Sequence, residues 1–146
     1  MRTIDAMNFI VSKLKSAFEE LPVSKRLKVE IPESIEEYRL THPNGAALVV
    51  YRGSDYEDAG VSGYTVQKRN MEIGVILAVR RKSERMQPEE YVDFVLDKLS
   101  GTETEAKFNS KKIHAVQDEW IKEDNGVWFY GVTFAFPNDF VEEELR

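Results

Sequence analysis

The sequence predicts a single α+β domain spanning residues 1–146, in which a mostly antiparallel sheet of about five strands carries two helices on one face. Three observations predict this fold. Two segments have apolar residues at helical spacing, and five others have the apolar runs or the alternation typical of strands. The segments follow the order α-β-β-β-α-β-β. The length of 146 residues suits one domain with its own core.

The first predicted element is a helix that ends before Pro22. Thr3 or Asp5 is expected to cap its start. Its apolar residues recur at steps of three and four and so form one stripe, made of Ile4, Met7, Val11, Leu14, Phe18 and Leu21. A short strand is predicted within residues 27–31, and a turn at Pro43-Asn44-Gly45.

Two longer strands are predicted next. Residues 46–51, AALVVY, form the nearly continuous apolar run of a buried strand. Residues 65–80 alternate between apolar and polar side chains over most of their length, as in a strand with one covered face. The covered face becomes polar at Gln67 and Arg69, so this strand is expected to run past the core.

A second helix, a hairpin and a terminal segment complete the prediction. Pro88 suits the first turn of a helix over about residues 88–100, and Gly101 suits its end. Two strands flank Asn125-Gly126, which is a strong hairpin signal. Residues 137–146 are acidic and predict either a loose arm or a short docked helix.

The aromatic side chains near the hairpin allow two interpretations. Trp120 precedes the turn, and one face of the following strand carries Trp128, Tyr130, Val132, Phe134 and Phe136, as a core strand would. The opposite face holds Val127, Phe129 and Ala135 and is more apolar than a solvated face needs. Either the core of this chain or a neighbouring subunit covers that second face.

The stretch GSDYEDAGVSG, residues 53–63, resembles a ligand-binding loop but lacks the required residues. A phosphate-binding loop needs a lysine and a following helix, whereas here three acids precede a strand. A calcium loop starting at Asp55 would place Ala59 and Val66 at positions that need oxygen ligands. The stretch therefore predicts a flexible hairpin loop.

Composition and motifs argue against several functions. The net charge of −6 disfavours direct sequence-specific binding of nucleic acid, and no apolar run is long enough to predict a signal peptide or a membrane span. The chain has no cysteine, which suits a cytosolic protein. His42 and His114 do not have the spacing of metal ligands. We therefore expect neither catalysis nor a cofactor nor a metal.

Four short motifs in a fixed order resemble a known family. They are Leu-Val-x-Tyr-x-Gly-Ser at residues 48–54, Gln-x-Arg at 67–69, Leu-Ser-Gly at 99–101 and Asn-Gly-Val-Trp at 125–128. Over about residues 3–136, their order and spacing resemble the small tail-terminator proteins of Mu-like phages and prophages. The layout is also similar to that of the U protein, which ends lambda-like tails.

The resemblance implies a structural subunit that closes into a hexameric ring. Such a ring sits on the last ring of the tail-tube protein, stops polymerisation and presents the surface for the head-completion protein. The expected locations are the bacterial cytoplasm during assembly and the virion tail afterwards.

Six residues are candidates for contacts with a neighbouring subunit or the tube: Arg52, Asp55, Glu57, Asp58, Gln67 and Arg69. The two arginines are expected to pair with acids across a subunit boundary, where they set register more than affinity. The same charges would also simply keep a hairpin soluble. On the interface hypothesis, Arg69→Glu is expected to leave the fold intact and weaken the ring.

Two other functions remain open at this stage. One is an α+β domain that binds or converts a small molecule in a pocket between helices and sheet. The other is a different ring-forming phage protein, either a head-completion or a tail-tube protein.

Overall fold

The computed structural model describes residues 2–56, 66–82, 85–103 and 112–141, and this part of the chain has the predicted order of elements. A short 3₁₀ turn, Val23–Lys25, follows the first helix. The helices and strands are α1 Thr3–Phe18, β1 Lys28–Glu30, β2 Gly45–Tyr56, β3 Val66–Arg80, α2 Pro88–Leu99, β4 His114–Asp124 and β5 Val127–Val141.

The five strands form one sheet in the order β1-β2-β3-β5-β4. All pairs are antiparallel except β1 with β2, so the prediction of a mostly antiparallel sheet is confirmed. The hairpin signal is also confirmed, because Asn125 and Gly126 have φ angles of 51° and 83° at the β4–β5 turn. β3 lies in the centre and β4 forms one edge.

Both helices pack on the same face of the sheet and share one core with it, as predicted. α1 lies against β1 and β2, whereas α2 lies mainly over β3 and β5. Aromatic contacts join the helices, since Phe18 stacks on Phe94 with ring centroids 5.2 Å apart. The largest fully buried side chains include Ile10, Leu14, Val49, Met71, Ile73, Val75, Leu77, Leu99, Phe134 and Phe136.

The predicted stripe of α1 is shifted around the helix. Ile4 is 52% exposed and Val11 is only partly buried, whereas Ile10 and Ala17 face the core. The reason is that α1 lies at the side of the helix layer, so one of its flanks has no neighbouring helix. The prediction that Thr3 or Asp5 caps the helix is also wrong. The N-cap position is Arg2, and no side chain forms a capping hydrogen bond at this N-terminus.

Two strands extend further than the sequence suggested. β2 continues to Tyr56, so residues 53–56 pair with β3 and do not belong to a loop. β5 continues to Val141, whose backbone pairs with Val66, so the first half of the predicted acidic arm is a strand. β3 is long enough to pair with both extensions. Residues 57–65 and 142–146 lie outside the described part of the chain.

The second face of the sheet is partly covered by this chain itself. Ala46, Leu48 and Ile76 form a small buried cluster there, and Tyr38, Leu40 and Phe129 pack against it. The segment between β1 and β2 therefore covers Phe129. For this end of β5, no neighbouring subunit is needed to explain the two apolar faces.

We predict that Gly45→Ala destabilises the fold more than Gly53→Ala. Both glycines have a positive φ, of 142° and 133°, which would strain an alanine by about 1–3 kcal/mol. Only at Gly45 would the new Cβ also lie 2.5 Å from a backbone atom, the carbonyl oxygen of Ala78. The clash should lower the free energy of unfolding by about 1–3 kcal/mol more. Urea denaturation of both variants measures the difference, and equal losses would contradict the clash.

We also predict that Tyr91→Phe reduces the alkaline sensitivity of the protein. The Tyr91 hydroxyl donates to the carbonyl of Lys25 at 2.6 Å and so joins α2 to the 3₁₀ turn. Burial raises the pKa of Tyr91 to about 12; Arg85 opposes the rise and Glu90 adds to it. Because the folded pKa exceeds the unfolded value of about 10, this stabilisation is complete below pH 10 and is lost as the pH rises through 12.

The measurement is the free energy of unfolding as a function of pH. Tyr91→Phe should cost about 1 kcal/mol at neutral pH through the lost hydrogen bond. It should also show a shallower loss of stability than the wild type between about pH 10 and 12. Parallel curves in that window would exclude Tyr91 as a source of the pH dependence.

Candidate functional site

Three of the six predicted interface residues lie in the outer half of the β2–β3 pair, which we call the distal hairpin (residues 51–56 and 69–72). Arg52, Asp55 and Arg69 are described there, and the backbone of Gln67 pairs with Phe140. Glu57 and Asp58 lie outside the described residues. The structure therefore places three of the six candidates in detail.

Arg69 lies inside the subunit rather than on its surface. It is only 9% exposed, and its guanidinium donates to three hydroxyl groups. The Nε donates to Ser54 Oγ at 3.1 Å, and one Nη donates to Thr3 Oγ1 at 2.7 Å and to Tyr51 Oη at 3.2 Å. The side chain thereby ties the N-terminus of α1 to β2 and β3.

The rings of two tyrosines lie close to this guanidinium and interact with its positive charge. The Arg69 guanidinium carbon lies 5.9 Å from the ring centre of Tyr51 and 5.8 Å from that of Tyr56, within the range of cation–π attraction. Tyr51 Oη also lies 2.7 Å from Ser54 Oγ. Burial acts to raise the pKa of Tyr51, but hydrogen bonds with Ser54 and Arg69 and the charge of Arg69 outweigh it, so the pKa is lowered.

The internal position of Arg69 changes the expected effect of Arg69→Glu. A carboxylate at this position would replace the guanidinium among the three hydroxyl groups. It would be a largely buried negative charge without a cationic partner, which is costly. We therefore no longer expect this substitution to leave the fold intact. The role of the candidate residues between subunits stays a prediction, and Arg52 and Asp55 are the exposed positions that can test it.

Arg52 lies flat across the helix-free face of the sheet. A Cβ added at Gly74 would be 2.9 Å from Arg52 Nε, and one added at Gly131 would be 3.4 Å from an Arg52 Nη. The two glycines thus leave a shallow track for the side chain across β3 towards β5. Within the described part of the chain, the Arg52 guanidinium has no hydrogen bond or ion pair. Arg52 is therefore an exposed positive charge that lies over two glycines without side chains.

A second exposed surface was not predicted from the sequence. All eleven residues of β4 are exposed, and Trp120 is 55% exposed. On the helix side, Trp120 pairs with Tyr130, Glu123 with Trp128, and Asp118 with the buried Val132. We call the surface formed by Asp118, Trp120, Glu123, Trp128 and Tyr130 the β4 shelf.

The inner side of the β4 shelf is fixed by contacts with α2. The Arg81 guanidinium lies 4.3 Å from the ring centre of Trp128 and forms an ion pair with Glu89, and the Tyr130 hydroxyl donates to Glu89 at 3.3 Å. Burial and the charge of Glu89 raise the pKa of Tyr130. Trp120 packs on Trp128, with ring centroids 6.4 Å apart. The shelf is thus ordered on one side and open on the other.

One signal in the sequence could have revealed the shelf. Trp120 stands in QDEWIKED, with acids on both sides, which is unusual for a strand buried on either face. The aromatic residues of β5 behave differently, because Phe134 and Phe136 are buried as predicted. Trp120 lies on the edge strand β4, whereas Phe134 and Phe136 lie on the inner strand β5. A prediction that treats the three residues as one group misses this difference.

The clefts of the described residues do not resemble an apolar ligand pocket. One, of about 320 Å³, lies between residues 36–40 and the β4–β5 turn and has Glu36, Arg80, Lys122 and Asp124 among its lining residues. The other, of about 380 Å³, lies along residues 30–39. Tyr38 lines both clefts. Burial raises the pKa of Tyr38 to about 12, and the charge and hydrogen bond of Glu30 add to the rise. Mostly charged walls do not suit an apolar ligand.

Other predicted features can be placed directly. His42 Nδ1 accepts from the backbone of Asn44 at 3.2 Å, in the predicted turn, and His114 is exposed at the start of β4. Among the described residues, no group of three or more histidine, aspartate or glutamate side chains could hold a metal ion. In the same residues, no helix has the length and apolar character to cross a membrane.

The sequence matches a family model, described as Gp37 protein, over residues 10–145. The chain belongs to the Gp37 protein family. This is a phage-associated family, so the predicted phage origin is confirmed at that level. No curated protein matches the sequence. For this Gp37-family member, the described surfaces are the distal hairpin and the β4 shelf.

We predict that Arg69→Met lowers the free energy of unfolding by about 1.5–3 kcal/mol, because it removes hydrogen bonds made by a largely buried charge. Arg69→Lys should recover little, since an ammonium cannot reproduce the planar fork that reaches Ser54 and Thr3 together. The matched control is Arg52→Met, which keeps a similar stem at an exposed position and should cost about 0.5 kcal/mol or less.

Urea denaturation of the four proteins checks this prediction. The slope of the transition should remain that of the wild type if only the folded contacts change. If Arg69→Met were no more costly than Arg52→Met, the hydroxyl network would not stabilise the fold.

Proposed function

We propose that the protein is a phage or prophage tail terminator, a structural subunit without catalytic activity. In this proposal six copies form a ring on the end of the tail tube, halt its growth and present the surface to which the head joins. The partners are further copies of the chain, the tail-tube protein and the head-completion protein. The sites of action are the bacterial cytoplasm during assembly and then the virion tail.

The family supports the phage setting, and the β4 edge is the observation that favours a ring. A single chain leaves an eleven-residue strand exposed along one edge, with Val116, Trp120 and Ile121 each more than a third exposed. Exposed apolar side chains on an edge strand favour association. The opposite edge, β1, has a different sequence and a different neighbour, so a contact between unlike edges would repeat in one direction and could close into a ring.

The distal hairpin suits a contact with the tube or a neighbour. Its strands continue beyond the helix-covered core, and it places Arg52 and Asp55 on the surface. The Arg69 network holds the two strands against α1, which gives the hairpin a fixed base. A rigid base limits the entropy lost when such a projection binds a partner.

A small-molecule protein is the rival from another class. It would remain a monomer or dimer and would bind its ligand in a cleft such as the two described above. Their charged lining and the lack of a cluster of convergent acids or histidines among the described residues give it less support. The other ring-forming phage proteins differ from a terminator in how they act on the tube.

We predict a mass near six times 16.9 kDa by light scattering for the isolated protein, or, if the ring forms only on the tube, six copies of the chain bound per tube end. A terminator should bind one end of a preformed tube and stop its elongation at a small molar ratio. A tube protein would lengthen the tube, and a head-completion protein would bind without stopping growth. Measurements at two salt concentrations show whether exposed charges contribute, since salt screens them.

Arg52→Glu and Asp55→Arg test the distal hairpin in the same assay. Each should weaken tube capping while leaving the unfolding transition close to that of the wild type, because both positions are exposed. A protein that stays monomeric and has no effect on tube growth would refute the terminator proposal.

A further inference from the structure

The β4 shelf exists because two helices cannot cover five strands. A helix is about 10 Å wide, and neighbouring strands lie about 4.8 Å apart, so each helix covers about two strands. α1 lies over β1 and β2, and α2 lies mainly over β3 and β5, with fewer contacts to β4. Most of the helix side of β4 is therefore left open beside α2. The uncovered strip is one strand wide and ends at the edge of the sheet, and Trp120 lies on it.

The chain's own undescribed segments are too short to cover Trp120. Residues 142–146 follow Val141, which is eleven positions beyond Tyr130 along β5. That is about 36 Å of strand, whereas five extended residues span at most about 18 Å. Residues 104–111 are closed at their base by the pairing of Glu103 with Lys112. Eight residues that leave and return there reach about 14 Å, short of the roughly 26 Å from Lys112 to Trp120.

The remaining segments are no better placed. Residues 57–65 connect the far ends of β2 and β3, and Val66 is eleven positions from Leu77, the β3 partner of Tyr130. Residues 83–84 are two residues between Lys82 and Arg85, and Arg85 is directed to Pro43 and Asn44. None of these segments within residues 1–146 therefore supplies the occupant of the shelf.

The chemistry of β4 defines that occupant. Residues 114–124 contain four carboxylates and one lysine around an exposed indole. The matching surface should be apolar with basic groups at its margin, and it should be helical to fit beside α2.

The unburied flank of α1 has these properties. Ile4, Asn8, Val11 and Lys15 follow at spacings of four, three and four residues, so they lie on one side of the helix. The opposite side of α1 faces β5, as shown by the contact between Phe9 and Phe136, whose ring centroids are 5.6 Å apart. Within α1, residues 3–18 contain two basic and one acidic side chain, and Lys15 places a positive charge on this flank, which complements the acids of β4.

We propose that the β4 shelf binds the outer flank of α1 from a second copy of this chain. Trp120 packs between Ile4 and Val11 of that copy, and the acids of β4 face its Lys15. The partner's α1 then takes the vacant place beside α2, so that the helix layer continues from one subunit to the next. The contact joins unlike surfaces and leaves each subunit with one free shelf and one free flank. The inference rests on the proposed ring and specifies its subunit contact.

Two variants and two controls test the contact. Trp120→Ser removes the anchor of the shelf. Ile4→Asp places a charge on the flank, at a position in the first turn where an acid suits the helix. Ile35→Ser and Val23→Asp make similar changes at exposed apolar residues outside both surfaces. Each test variant should weaken self-association by about tenfold or more, whereas the controls should match the wild type.

Mixing the two defective variants identifies unlike surfaces. Trp120→Ser keeps an intact flank and Ile4→Asp keeps an intact shelf, so the equimolar mixture should form dimers although each variant alone is monomeric. If two shelves bound each other, Ile4→Asp would still dimerise alone, and the proposal would be wrong. Sedimentation velocity distinguishes these results.

Fluorescence locates the contact. The chain has two tryptophans, and both lie on the shelf, so their emission reports on this surface alone. Association should shift the emission to shorter wavelength and protect it from acrylamide. If the wild type and Trp120→Ser associate equally, the shelf is excluded while the ring proposal survives. A wild type that stays monomeric at every concentration overturns self-docking, and tube capping then judges the proposed function separately.

Discussion

The fold depends on β3, which pairs along its whole length with β5 on one side and from Arg69 to Val79 with β2 on the other. Its alternate residues Met71 to Val79 form the floor under both helices, and every one of these side chains is almost fully buried. Because a shift of one residue would turn this apolar set to the opposite face, the burial fixes the register of all three strands. The positions of the distal hairpin and of the β4 edge both follow from that register.

The covered face of β3 changes from apolar to polar along the strand. Beyond Met71 the covered side continues with Arg69, and the apolar core is replaced there by hydroxyl groups and aromatic rings. A guanidinium with this little exposure needs several acceptors around it, and Thr3 contributes one from another element. The network thus extends the ordered structure past the core, where a solvated hairpin would otherwise fray.

The interface role of the predicted site residues stays a prediction, whereas part of the backbone geometry around them could be predicted. The residue types of the distal hairpin correctly predicted that β3 extends beyond the core, because polar residues replace apolar ones on its covered face at Gln67 and Arg69. The residue types did not show that Arg52 and Arg69 have different environments. Arg52 is exposed and lies across Gly74 and Gly131, whereas Arg69 is buried. Strand alternation assigns a face, but the β-bulge at Arg52 and Gly53 changes the alternation within β2, and a sequence does not show which face a helix terminus will cover.

The sequence by itself determined the element order, the turn at Asn125-Gly126 and the apolar faces that form the core, because these depend on local backbone preference and on periodicity. Only the tertiary structure decided which strand became the edge. β4 has the length of an inner strand, yet in the sheet it pairs with β5 on one side only, and the two helices lie mainly on the other four strands. Burial of Trp120 is therefore not a property of its neighbours in sequence. It depends on how many strands two helices can cover.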